Sequence, residues 1–178
     1  MGNPPLNSKH VRLFHMIIRK ISLVALLFLS LSLVSGIVSA DVKSLCKKSE
    51  TVVWSCQFKS KVYSICSSKD LTETKGYLQY RAGNPKEIEF KYPAMLQHPK
   101  GLFEYGLLPH GAQLSFKNGH YNYVISEDLI GQPNISTSKN DNYLSTIECA
   151  QSTQSLTNNS TIEVFRIVGA YKWSEKCA

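Results

Sequence analysis

From residue 51 onward, short runs rich in β-branched and aromatic side chains alternate apolar with polar positions and are broken by Gly, Pro, Asn and Ser, a period of two that predicts strands. Residues 51–58 and 61–66 flank the tight Lys59-Ser60 connection and predict a first hairpin. Residues 76–81 and 86–92 flank Ala82-Gly-Asn-Pro85, whose Gly and Asn-Pro favour a turn, and predict a second. The strongest local signal runs from Gln113 to Ile125, where Asn118-Gly119 offers the positive φ angles of a two-residue type I′ turn between alternating apolar residues. Residues 143–147 and 161–167 predict two later strands, and helical periodicity is confined to short stretches at 126–130 and 170–176. The pattern is that of an all-β fold, a small antiparallel sandwich or barrel built from hairpins.

Two kinds of segment lie between these strands. Residues 93–111 contain three prolines and three glycines that discourage long regular structure, yet Met95, Leu96, Leu102, Phe103, Tyr105, Leu107 and Leu108 make the stretch too apolar for an idle linker. Such a segment either packs across the end of the sheet or presents apolar side chains to a partner. The polar stretches 131–142 and 150–160 predict surface loops.

The first forty residues have a different character. Lys9, Arg12, Arg19 and Lys20 precede an apolar run over residues 21–34, and Val38-Ser39-Ala40 closes it with the small residues a signal peptidase reads. The run is dotted with serines and too interrupted for a transmembrane helix, which needs about 20 predominantly apolar residues. The expected organisation is a cleaved signal peptide over 1–40, with Met16 an alternative start, followed by a single all-β domain over 41–178 without stable membrane insertion. Residues 41–178 retain sixteen Lys and Arg against thirteen Asp and Glu, so the net charge of +7 falls to +3 once the leader is removed. Only Arg81 and Arg166 remain as arginines and no basic block forms a stripe, which argues against a nucleic-acid partner.

All five cysteines, Cys46, Cys56, Cys66, Cys149 and Cys177, lie beyond the leader. In a periplasmic or otherwise secreted compartment they are disulfide candidates, and the wide gap between Cys66 and Cys149 lets one bridge tie the ends of the domain together. Their odd number leaves at least one over, and the pairing is open.

Several segments together resemble a pattern found in small exported bacterial proteins of uncharacterised function. They are Trp54-Ser-Cys-Gln57, Val62-Tyr-Ser-Ile-Cys66, Gly76-Tyr-Leu-Gln-Tyr-Arg-Ala-Gly83, Ile88-Glu-Phe90 and residues 114–124, within a span of about 52–125. The resemblance implies a periplasmic β-protein and carries no catalytic residues with it.

Candidate chemistry changes this picture little. His98, His110 and His120 are the histidines after the leader, and no Gly-x-Ser-x-Gly elbow marks a nucleophile beside them. No clustered His or carboxylate motif suggests a metal, no glycine-rich phosphate loop opens a helix, and no cofactor is expected. Glu87 and Glu89 alternate on one strand beside Lys86 and Lys91 and read as a solvated face. What remains is aromatic and apolar: Leu102, Phe103, Tyr105, His110, Tyr121 and Tyr123 are the candidate partner-binding residues. The expectation is a non-catalytic periplasmic binding protein, of inhibitor or immunity type, that occludes a neutral or acidic protein partner, an envelope-targeting enzyme or toxin. A small envelope hydrolase and an envelope structural or surface-accessory protein are the alternatives.

Overall fold

In the computed structural model, which describes residues 44–172, ten strands and one helix form two five-stranded antiparallel sheets. The first sheet is a meander of β1 (Glu50–Phe58), β2 (Lys61–Ser68), β3 (Leu78–Asn84) and β4 (Glu87–Tyr92). The second is a meander of β5 (Glu104–Leu108), β6 (Gly111–Asn118), β7 (Tyr121–Asp128), β8 (Asn134–Lys139) and β9 (Asn142–Glu148). The chain then returns to the first sheet as β10 (Gln151–Thr153) on the free edge of β1, and α1 (Asn159–Ile167) follows. The all-β sandwich expected from the hairpin pattern is the fold found. The leader, and with it the proposed cleavage at residue 40, lies outside the described residues.

The two sheets cross steeply. Phe90 of β4 stacks on Tyr123 near the start of β7, Tyr80 of β3 meets Phe116 and Tyr123, and Trp54 of β1 donates to Glu127 near the end of β7. Going from β4 to β1 across one sheet therefore runs along β7 in the other. Three strand spacings of about 4.8 Å and four residue steps of about 3.4 Å both span about 14 Å, as crosswise packing requires. The core between them is built from Trp54, Ile65, Leu78 and Tyr80 on one side and Leu114, Phe116, Ile125 and Ile135 on the other, all buried. Tyr92 and Phe116 stack with ring centroids 4.5 Å apart.

Two disulfides support this arrangement. Cys56–Cys149 fastens β1 to the point where the chain leaves β9 and changes sheets. Cys46–Cys66 fastens residues 44–49 across the back of the first sheet. Beneath that strap lies a buried polar cluster: the Arg81 guanidinium forms two 2.7 Å bonds to the Glu50 carboxylate and a third, of 3.0 Å, to the Leu45 carbonyl. The Tyr77 hydroxyl and the Lys47 N–H also donate to Glu50, each at 2.6 Å. Burial alone would raise the Glu50 pKa, but the bonds from Arg81, Tyr77 and Lys47 outweigh it and hold the carboxyl at about 2.

Several local expectations are corrected. Residues 161–167, expected as a strand because of their β-branched content, are helical. Asn158 caps the helix by accepting from the Ser160 N–H at 2.8 Å, and buried Thr161, Phe165 and Val168 recur at helical spacing. The stretch 131–142 is not a loop but holds the whole of β8, its turn and the first residue of β9, while 151–153 within the second expected loop form β10. Residues 126–128, expected as helical, complete β7, and 170–172 are not helical, Tyr171 forming a parallel bridge with Tyr105. The β6–β7 turn is Gly119-His120, with Gly119 alone at positive φ (+60°), which is the type II′ pattern. The type I′ pattern occurs instead at Asn140-Asp141, with φ of +48° and +65°.

Removal of Cys56–Cys149 by double alanine substitution is expected to cost about 5 kcal/mol, and removal of Cys46–Cys66 about 3, because the first closes a loop of 93 residues and the second one of 20. Urea unfolding of the two variants checks the order. The depressed Glu50 pKa contributes stability that is complete above its unfolded value of 4.5 and is lost as pH falls toward 2. That contribution is on the order of 3 kcal/mol. Arg81→Ala, which removes the largest cause of the depression, should flatten the acid limb of stability measured between pH 5 and pH 2.

Candidate functional site

The residues singled out in the sequence are separated by the fold. Phe103 and Tyr105 are buried, at 2% and 1% exposure, and cannot meet a partner. Both point inward because β5 and the residue before it alternate against the core. The Tyr105 ring stacks on Phe165 at 4.7 Å, its hydroxyl donates to the Leu156 carbonyl at 2.7 Å, and burial pushes its pKa to about 12. Tyr123 is half-buried and stacks on Phe116 and Phe90. Leu102 is half-buried beside a cavity of about 240 Å³ that Tyr92 and Glu104 also line. Tyr121 is exposed, with the Lys139 ammonium 5.2 Å from its ring centroid, and His110 is exposed in the β5–β6 turn.

His110 belongs to an arrangement the sequence reading missed. The β5–β6 turn and the β7–β8 loop lie side by side at one end of the second sheet, joined by the Leu129 N–H to the His110 carbonyl at 2.7 Å. Beyond that bond the loop projects Leu129 and Ile130, 68% and 93% exposed. Its far end is fixed where the Cys149 N–H donates to the Pro133 carbonyl at 2.8 Å, next to the Cys56–Cys149 bridge. Gly111 permits the close approach at the base: a Cβ there would lie 2.1 Å from the Glu127 carbonyl oxygen. An expectation of helix over 126–130 hid this tip, although an Ile before Gly131 in a five-residue connection marks an exposed apolar side chain.

The Glu127 carboxylate holds the tip to the rest of the molecule. It accepts from Trp54 Nε1 at 3.3 Å, from the Leu156 N–H at 3.0 Å and from the Ser155 hydroxyl. One side chain thus joins β7 to β1 and to the turn leading into α1.

The fold places the histidines in separate segments and engages the cluster of possible metal ligands found among the described residues. His110 and His120 sit in turns at opposite ends of β6. His98 lies in the 93–103 segment, with Nε2 2.9 Å from the Thr72 carbonyl and Nδ1 accepting from the Lys100 N–H. The ligand atoms of Cys46, Glu50 and Cys66 lie within 4.8 Å of one another, but the two sulfurs are bonded together and Glu50 is occupied by Arg81 and Tyr77. Cys177 lies outside the described residues, and no described helix is long and apolar enough to cross a membrane. Comparisons with protein-family models, curated proteins and solved structures return no match.

Glu127→Ala strips three donors of their acceptor and is expected to lower stability by about 2–3 kcal/mol with an unchanged urea m-value. Amide exchange should quicken at Leu129 and Leu156, the two segments that Glu127 fastens.

Proposed function

We propose that this is an exported, non-catalytic binding protein that occludes a protein partner, of inhibitor or immunity type, through the tip formed by the β7–β8 loop beside His110. The observation that carries the reading is Ile130, 93% exposed on a loop fastened by backbone bonds at both ends. An apolar side chain held out in one conformation has no intramolecular role, and it loses little conformational freedom when it enters a partner's pocket. The signal-like leader and the two disulfides agree with an oxidising compartment. A net charge of +3 over residues 41–178 favours a neutral or acidic partner. The hydrolase alternative is the weaker reading, since His110 and His120 are separated by the length of β6.

The cysteine count favours a second reading, an accessory protein linked to another chain. Two bridges use Cys46, Cys66, Cys56 and Cys149, so of the five cysteines Cys177 is the one outside them.

For the first reading, a partner is captured from an envelope extract, purified and titrated with the wild type and with Ile130→Asp. The substitution is expected to weaken binding at least about tenfold without changing the melting temperature, since the side chain is almost fully exposed. Affinity unchanged in both Ile130→Asp and Leu129→Asp would remove the tip from the reading. For the second, non-reducing electrophoresis should show a covalent oligomer that Cys177→Ser abolishes, and a wholly monomeric protein would dismiss it.

A further inference from the structure

We propose that the outer face of the second sheet binds a neutral oligosaccharide laid across β6 to β9, a ligand and a surface independent of the protein-occluding tip. The inward side chains of Leu114, Phe116, Ile125 and Ile135 fix which residues point away from the core. Strand register then sets the outward residues in three rows. The first is Gln113, Ser126, Asn134 and Glu148. The second is Ser115, Val124, Ser136 and Thr146. The third is Lys117, Asn122, Ser138 and, past a bulge that leaves Leu144 without an opposite residue, Tyr143.

These rows carry two charges of opposite sign, Lys117 and Glu148, at diagonally opposite corners. Apart from Val124 and Tyr143, the other side chains are hydroxyls and amides. The contrast within the molecule is with β4, whose outward residues are Glu87, Glu89 and Lys91. Beyond the first row Asp128, opposite Gly111, adds one negative charge toward the loop tip. A face with so little charge gives little attraction to nucleic acid and none to an acidic polymer, and it lacks the apolar centre of a protein interface. It offers instead donors and acceptors repeated at the strand spacing of about 4.8 Å. A sugar hydroxyl both donates and accepts, and Ser, Thr, Asn and Gln answer both roles. Bonds from Gln113 to Ser126 and between Ser136 and Thr146 hold part of the lattice in place. Among the described residues the side chains of Ser115, Asn122 and Ser138 have no hydrogen-bond partner, which leaves their polar groups to a ligand.

The third row ends on features suited to sugar rings. Tyr143 is 70% exposed at the β9 end and presents a flat apolar surface with a polar tip. At the β6 end, Ser115, Lys117 and Asn122 help to line the cavity of about 240 Å³ beside Tyr92 and Leu102. Three strand spacings separate the two ends, about 14 Å, a span for several linked rings rather than one.

The test is calorimetric and NMR titration of the purified protein with neutral tetrasaccharides of β-1,4-linked glucose, β-1,4-linked N-acetylglucosamine and α-1,4-linked glucose, and with a uronic-acid tetrasaccharide as the charged counterpart. At least one neutral tetrasaccharide is expected to bind about tenfold more tightly than its monosaccharide, insensitively to salt, with amide shifts at Ser115, Asn122, Ser138 and Tyr143. Tyr143→Ala and Asn122→Ala should each weaken it at least about fivefold at an unchanged melting temperature, while Ile130→Asp leaves it unaltered. The proposal is overturned by absence of binding at millimolar sugar, by tighter binding of the uronate, by indifference to both substitutions, or by a protein partner whose contacts map to this face.

Discussion

The constraint on which the rest of the molecule depends is the crossing of the two sheets. Crossed sheets share a core only where their faces overlap, so the chain must turn a corner to pass from one to the other, and that corner must be held. Here it is Cys149, bonded to Cys56 in the middle of β1. The flank beside β1 and β5 is closed by α1, whose Phe165 covers Tyr105 and whose Thr161 hydroxyl reaches the Val53 carbonyl. Glu127 then connects β7, β1 and the turn before α1 through a single carboxylate. With its core shut in this way, the molecule has surfaces left over at the loop ends and on the outward sheet face, and the two proposed binding regions lie there.

The back of the first sheet is organised on another principle. Central strands buried on both faces usually read as continuous apolar runs, yet here Ser55, Ser64, Gln79, Arg81 and Glu50 are buried under residues 44–49. A polar cluster of that kind is tolerable only when every group is satisfied, and among the described residues no buried side-chain nitrogen or oxygen lacks a partner. The strap supplies part of that satisfaction through the Leu45 carbonyl and the Lys47 N–H, so covalent attachment at Cys46 and hydrogen bonding serve the same end.

Much of the first three hairpins was legible, because alternation and turn residues are local properties that the crossed sheets preserve. The Lys59-Ser60 connection stands where the pattern puts it, and the second and third hairpins are present with displaced turns: Ala82, Gly83 and Asn84, expected in the second turn, belong to β3, and the chain reverses at Pro85-Lys86. Illegible parts had their signal suppressed by the fold itself. β8 contributes one core residue, Ile135, between neutral polar side chains, and so looks like a loop. In α1 the β-branched residues that favour strand outnumber the cues for helix, and a cap and three buried positions decide the matter. The apolar segment before β6 divided: Phe103 and Tyr105 went to the core, while Leu102 stayed at its rim. Exposed Ile130 was hidden by the helix expected over 126–130, which would have given its apolar side chain a face to bury.

The corner at Cys149 also bears on how the molecule comes to be assembled. A chain that grows from its N terminus presents the β1–β4 meander long before residues 149–153 exist. Until then the outer edge of β1 is an unpaired row of backbone groups, and Cys56 has no native partner. The local hairpin protects it in the meantime. Cys56 faces the core side of the sheet and Cys66 the opposite side, where Cys46 lies 20 residues away. Early closure of that short loop withdraws the two cysteines that Cys56 could wrongly capture, and leaves the long-range bond as the final stitch of the fold.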